Sequence, residues 1–234
     1  MRTLLAVCLD ESGSMDDGGK RAAAISAFNE YLASQKKLTT DDCLFTLTKF
    51  NTTATQVIGL TPIAHIAPLT TQTYMPNGGT ALFDAIAQTI SGIDHFQQHT
   101  LCEHCHQPND RIILVILSDG EENSSRHHTL HQIKDLVRAK EATNRWTFVY
   151  LSAGLDAFAQ GARLGMHALN TYVVPDTAKG VTISIGAAAA ATRIYRQSTA
   201  TSSTNFFQNT APAWPKDEED PNVAKINPTA SGSH

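Results

Sequence analysis

Asp10, Ser12 and Ser14 stand at every second position directly after the apolar run Leu4-Leu5-Ala6-Val7-Cys8-Leu9. An extended backbone sends residues i, i+2 and i+4 to one side, so a carboxylate and two hydroxyls can converge on one small object. Oxygen donors of this kind suit a hard divalent cation such as Mg²⁺. Two later segments supply matching pieces. A second apolar run, Ile112 to Leu117, ends in Ser118-Asp119-Gly120, again a carboxylate at a turn. Asn77-Gly78-Gly79-Thr80-Ala81-Leu82 is a glycine-rich loop that puts a hydroxyl just ahead of a helical pattern.

Each piece alone has a plainer reading. Ser12 and Ser14 can cap a following helix, and Thr80 can be an N-cap. Asp119-Gly120 can be a strand-ending turn. Glu121 and Glu122 read as solvated rim, and Asp16 and Asp17 as ordinary loop residues. Taken together and in this order, the pieces resemble the von Willebrand factor A (VWA) family. Its metal-ion-dependent adhesion site (MIDAS) combines a D-x-S-x-S loop, a distant Thr after small residues and an Asp at the end of a later strand. The resemblance assigns Asp10, Ser12, Ser14, Thr80 and Asp119 to that site, with no departure from the motif.

The same resemblance implies Mg²⁺ or Mn²⁺ as the ion, carboxylates that reach it through water, and a direct position left for an Asp or Glu of a partner protein. It further implies a stand-alone bacterial or phage domain, with MoxR-type AAA+ ATPases as a partner class. The expected function is therefore protein binding without turnover. The alternative is a metal-dependent hydrolase or phosphoesterase using Asp10 and Asp119. Against that alternative, the motif offers no nucleophile with a base, and Lys20 and Arg21 are the only basic residues nearby in sequence.

A second, weaker metal pattern is His95, His99, Cys102 and Cys105, spaced H-x3-H-x2-C-x2-C. Two His on one helix face followed by Cys-x2-Cys can grip zinc, and a plain surface loop with free thiols fits equally. His127, His128 and His131 open a helix near the Asp119 loop and read as solvated rim.

Positioning these groups requires strands that end where they stand. Buried strands are expected at about 3–9, 43–50, 111–118, 146–152 and 171–174, with a short antiparallel edge near 54–59. Helical periodicity covers about 20–36, 81–98, 129–142, 155–164 and 180–197. This alternation predicts an α/β, Rossmann-like doubly wound and mostly parallel sheet, with one antiparallel edge strand and helices on both faces. Such sheets bind ligands beyond the carboxyl ends of their strands, where Asp10 and Asp119 fall.

The 234 residues suit one domain over 1–197 and a polar, acidic tail over 198–234, expected to be disordered and carrying the run Asp217-Glu218-Glu219-Asp220. That run offers carboxylates for self-association, and Phe206, Phe207 and Trp214 are apolar enough to dock on a groove. A net charge of −4 with scattered Lys and Arg argues against a nucleic-acid partner. No apolar stretch approaches the ~20 residues that span a bilayer, which argues against a membrane partner. The first strand begins too early for a signal peptide, and the expected location is cytoplasmic, with reduced cysteines.

Overall fold

A computed structural model describes residues 1–99, 110–153 and 157–208. Its strands are β1 (Arg2–Asp10), β2 (Asp42–Phe50), β3 (Ala54–Pro62), β4 (Arg111–Ser118), β5 (Trp146–Ala153) and β6 (Thr171–Val174). Its helices are α1 (Lys20–Lys36), α2 (Leu82–His99), α3 (Leu130–Glu141), α4 (Ala157–Arg163) and α5 (Ala178–Gln197).

The strands form one six-stranded sheet in the order β3-β2-β1-β4-β5-β6, parallel except for the β2–β3 hairpin. This is the doubly wound sheet with one antiparallel edge that the alternation predicts. The edge strand is longer than expected, reaching Pro62, and its pairing with β2 shifts register between Phe45 and Thr48.

β1 and β4 are buried on both faces, which explains their unbroken apolar character. Alternate side chains serve opposite layers. Leu5, Val7, Leu9, Ile113, Val115 and Leu117 pack with α1 and α5, while Leu4, Ala6, Cys8, Ile112, Leu114 and Ile116 pack with α2 and α3. β1 and β4 are neighbours in register, with Leu9 opposite Leu117, so Asp10 and Asp119 emerge side by side. The chain turns from β1 toward β2 on one side and returns to β4 on the other. Their shared carboxyl end is thus the switch point of the sheet.

Past residue 197 the chain remains packed. Phe206 is buried against Tyr195 at a ring separation of 5.6 Å, and Phe207 meets Tyr172 at 5.0 Å. Asn170 accepts from the Phe206 N–H and donates to the Ser203 carbonyl, and Thr147 Oγ1 accepts from the Ser203 N–H. The ordered fold therefore extends beyond the boundary that composition marks at 197. A polar stretch can still be held by two aromatic anchors. Thr147 and Asn170 lie at the amino ends of β5 and β6, opposite the site. Trp214 and the acidic run 217–220 lie outside the described residues.

Candidate functional site

The backbone of the 75–80 loop is fastened to the Asp10 loop before any side chain of the site is considered. Gly13 N–H donates to Gly78 O, Asn77 N–H to Glu11 O, and the Tyr74 hydroxyl to Asp10 O at 2.6 Å. Glu11 accepts from Met75 N–H and forms an ion pair with Lys49 at 2.7 Å. Gly78 has φ +71°, and a β-carbon there would stand 2.4 Å from Thr52 Oγ1, the atom that accepts the Gly79 N–H. Only glycine fits that close approach.

On the other side, the 121–125 loop holds Thr80. Asn123 Oδ1 accepts the Thr80 N–H at 2.9 Å, and the Asn123 and Ser124 N–H groups donate to Thr80 O. Glu122 organises that loop: it accepts from the N–H groups of Phe83, Ser124 and Ser125 and from the Ser125 hydroxyl. The sequence reading places Glu122 in a solvated rim. It is half-buried instead, and it serves an orphan N–H in the first turn of α2. Glu122 and Ser125 serve the first turn of α2, so Thr80 is not needed as its cap.

A Gly79→Ala substitution tests this loop–loop clamp. The added β-carbon would lie 2.2 Å from Ser124 Oγ and 2.6 Å from Asn123 Oδ1. Thermal melts should show a loss of roughly 1–2 kcal/mol, and calorimetric titration should show weakened Mg²⁺ binding. Unchanged titrations would mean that Thr80 is placed by other contacts.

Within this frame the five motif side chains occupy one end of the sheet. Asp10 is fully buried: Oδ1 accepts the Ser12 N–H at 2.7 Å and Oδ2 accepts the Ser118 hydroxyl at 2.6 Å. Ser12 Oγ and Ser14 Oγ are 3.1 Å apart, and Ser14 Oγ donates to Asp119 Oδ1 at 2.7 Å. Ser12 makes no side-chain cap bond, and the N-cap of α1 is Gly19, so the capping alternative for these serines is not what the fold uses. A β-carbon on Gly120 would stand 3.2 Å from Thr80 Oγ1 and 3.9 Å from Ser14 Oγ, which puts both hydroxyls around one point.

Burial dominates the electrostatics. It pushes the Asp10 carboxyl up to about 6; hydrogen bonds from Ser118 and Ser12 oppose the shift and the nearby Asp119 charge adds to it. Asp119 is paired as well as hydrogen-bonded. Lys20, the first residue of α1, places Nζ 2.5 Å from Asp119 Oδ2 and 2.8 Å from Asp176 Oδ1. Burial acts to lower the Lys20 pKa, but the two carboxylates outweigh it and hold it above the ordinary value.

Three hydroxyls and two carboxylates at the rim of a sheet are a hard-oxygen donor set that suits Mg²⁺ or Mn²⁺. Among the described residues no three His, Cys, Asp or Glu side chains converge on a metal position. Any ion here would therefore depend on Ser12, Ser14 and Thr80. Of the second pattern, the His95 and His99 rings lie 4.1 Å apart, tilted by 42°, near the end of α2, while Cys102 and Cys105 lie outside the described residues.

His128 pairs with Asp84 at 2.9 Å, and His131 is exposed beside Asp135. Burial alone would raise the Asp84 carboxyl, but donors from Arg126, His128 and His127 outweigh it and hold it below its ordinary value. A groove of about 830 Å³ runs from Thr52, beside the Gly79 loop, along Asp84 and Arg126 to His95. Among the described residues no helix is long and apolar enough to cross a membrane.

No protein-family model matches the sequence, and no curated protein matches it. Solved structures do. Proximal thread matrix protein 1 from the mussel byssus, in a form with a zinc-occupied MIDAS motif, aligns over 80% of this chain and 46% of its own, at 15% identity and TM-score 0.53. A von Willebrand factor type A protein from Catenulispora acidiphila aligns over 79% of this chain and 43% of its own, at 21% identity and TM-score 0.51. The vWF domain of the type V pili tip protein Mfa5 from Porphyromonas gingivalis aligns over 84% and 96%, at 10% identity and TM-score 0.55. The chain spans less than half the length of the first two. At these identities the likeness is one of fold, and the fold is that of the von Willebrand factor A domain.

Proposed function

We propose that this protein is a divalent-metal-dependent binding module, in which Asp10, Ser12, Ser14, Thr80 and Asp119 hold Mg²⁺ or Mn²⁺ and a partner protein supplies an Asp or Glu carboxylate. The observation that carries the reading is the convergence of Ser14 with Asp119 and Ser12 across 105 residues of sequence, with Thr80 beside them. The bound ion would supply a Lewis-acidic position for an incoming oxygen. The chain's own residues orient that position: Asp10 fixes the loop through Ser12 N–H, and Ser14 ties the loop to β4.

The site binds rather than turns over substrate. Lys20, the nearest cation, is itself buried and already paired with Asp119 and Asp176, so it is not presented to a phosphoryl group. Turnover of a generic phosphoester with Mg²⁺ that vanished in Asp10→Ala would reverse this assignment to the hydrolase alternative. The partner class remains that implied by the sequence resemblance, a MoxR-type AAA+ ATPase offering an acidic side chain. We place the protein in the cytoplasm, a setting that suits the free thiols of Cys8 and Cys43.

Thermal melts with and without EDTA test the metal. A hundredfold excess of Mg²⁺ over its dissociation constant should stabilise the parent by about 2.7 kcal/mol, with no effect in Asp119→Ala. Equal melting of the parent in Mg²⁺ and in EDTA would remove the proposal.

A further inference from the structure

Lys20 is the one cation in direct contact with the five donors among the described residues, and the D-x-S-x-S motif does not account for it. Its side chain is 5% exposed and that of Asp119 is 2% exposed, whereas that of Asp176 is 53% exposed. Both oxygens of Asp119 are engaged by the chain itself, Oδ1 by Ser14 and Oδ2 by Lys20. Glu11, the acidic residue next to Asp10, is neutralised separately by Lys49.

Resting on the metal-site reading above, we propose that Lys20 is a built-in counter-cation that weakens the site's grip on the free divalent ion and strengthens the loaded site's grip on a partner's carboxylate. The two buried carboxylates, Asp10 and Asp119, against one ammonium leave a single net negative charge, to which half-exposed Asp176, screened by solvent, adds only a fraction. A divalent ion turns that into a single net positive charge, and an anion is then attracted. With Lys20 neutral, the two carboxylates would cancel the ion completely. The metal would be held more tightly and the loaded site would have no charge left for a partner. Screening is weak at this burial, so both effects are large.

A purely structural role is the competing explanation, because Lys20 also latches α1 to the end of β4 and to the loop before α5 through Asp176. Loss of a latch would loosen the site and weaken both metal and anion binding. Loss of a counter-cation moves them in opposite directions.

The experiment titrates Mn²⁺ into the parent, Lys20→Met and Lys20→Arg, then titrates acetate into each Mn²⁺-loaded protein, following water-proton relaxation as the carboxylate displaces metal-bound water. Lys20→Met is expected to bind Mn²⁺ about tenfold more tightly and acetate about tenfold more weakly, with Lys20→Arg within about threefold of the parent in both. Metal binding in Lys20→Met that is unchanged or weaker, or a change of both affinities in the same direction, overturns the proposal. A parent that binds no Mn²⁺ instead overturns the metal-site reading on which it stands. Should Lys20→Met not fold, Asp176→Asn carries the test on an exposed residue. Lys20 then answers to Asp119 alone, so Mn²⁺ should bind about threefold more weakly and acetate more tightly. No change in either affinity overturns the proposal.

Discussion

In EDTA, the parent protein should lose about 3 kcal/mol of stability relative to Asp10→Asn as the pH rises from about 3 to about 7. Burial raises the Asp10 carboxyl from 3.8 to about 6, against the pull of the Ser118 and Ser12 hydrogen bonds. A carboxyl with a raised folded-state pKa gives its stabilising contribution below the unfolded value and loses it as the pH passes the folded value. The window therefore opens near 3.8 and closes above about 6. Asparagine does not titrate, so the difference between the two proteins isolates this one group, and any hydrogen bond lost in the variant is a constant offset. Saturating Mg²⁺ should abolish the loss in the parent, since the ionised carboxylate then has a cation beside it, and should leave Asp10→Asn untouched. Denaturant unfolding at several pH values measures this. Parallel curves for the two proteins in EDTA would mean that Asp10 is better solvated than its burial indicates.

Glu122→Ala should cost about 3 kcal/mol and weaken Mg²⁺ binding by about tenfold. Four donors lose their acceptor at once: the N–H groups of Phe83, Ser124 and Ser125 and the Ser125 hydroxyl, at 2.7 to 2.9 Å. The Phe83 N–H sits in the first turn of α2, where a carboxylate also complements the helix dipole. The effect on metal comes through Asn123, the next residue, which holds Thr80 by its side chain and its N–H. Glu122→Gln keeps one carbonyl oxygen, enough for two of the four donors, and replaces the other with an NH2 group that cannot accept, so it should lose about 2 kcal/mol. Calorimetry of both variants checks the pair. A Glu122→Ala protein as stable as the parent, with parental affinity, would show that the Thr80 loop stands without the 121–125 loop.

These two residues also show where sequence reading succeeds and where it stops. Asp10 was legible because its neighbours carry strict signals: an apolar run buried on both faces, then polar groups at every second position. The helices around the sheet were legible for a similar reason, through apolar faces such as Leu82, Ile86, Ile90 and Ile93 on α2. Glu122 was not legible. A Glu beside a turn reads as solvated, and its role depends on α2 beginning about forty residues earlier in the chain and arriving beside it. In the sequence Lys20 stands out only as a basic residue close to the D-x-S-x-S motif. Its pairing with Asp119 and Asp176, 99 and 156 positions away, is set by the order in which the strands assemble. Phe206 and Phe207 are apolar enough to dock, yet where they dock depends on Tyr195 and Tyr172, a surface that exists only once β6 and α5 are in place.

The most direct test is diffraction from crystals of the full chain soaked in Mn²⁺, with data collected to exploit the ion's anomalous scattering. A single anomalous peak in contact with the hydroxyls of Ser12 and Ser14, with Thr80, Asp10 and Asp119 around it, is the predicted result. A site with no peak at saturating Mn²⁺, or a peak bound elsewhere while Lys20 and Ser14 alone hold Asp119, would contradict it.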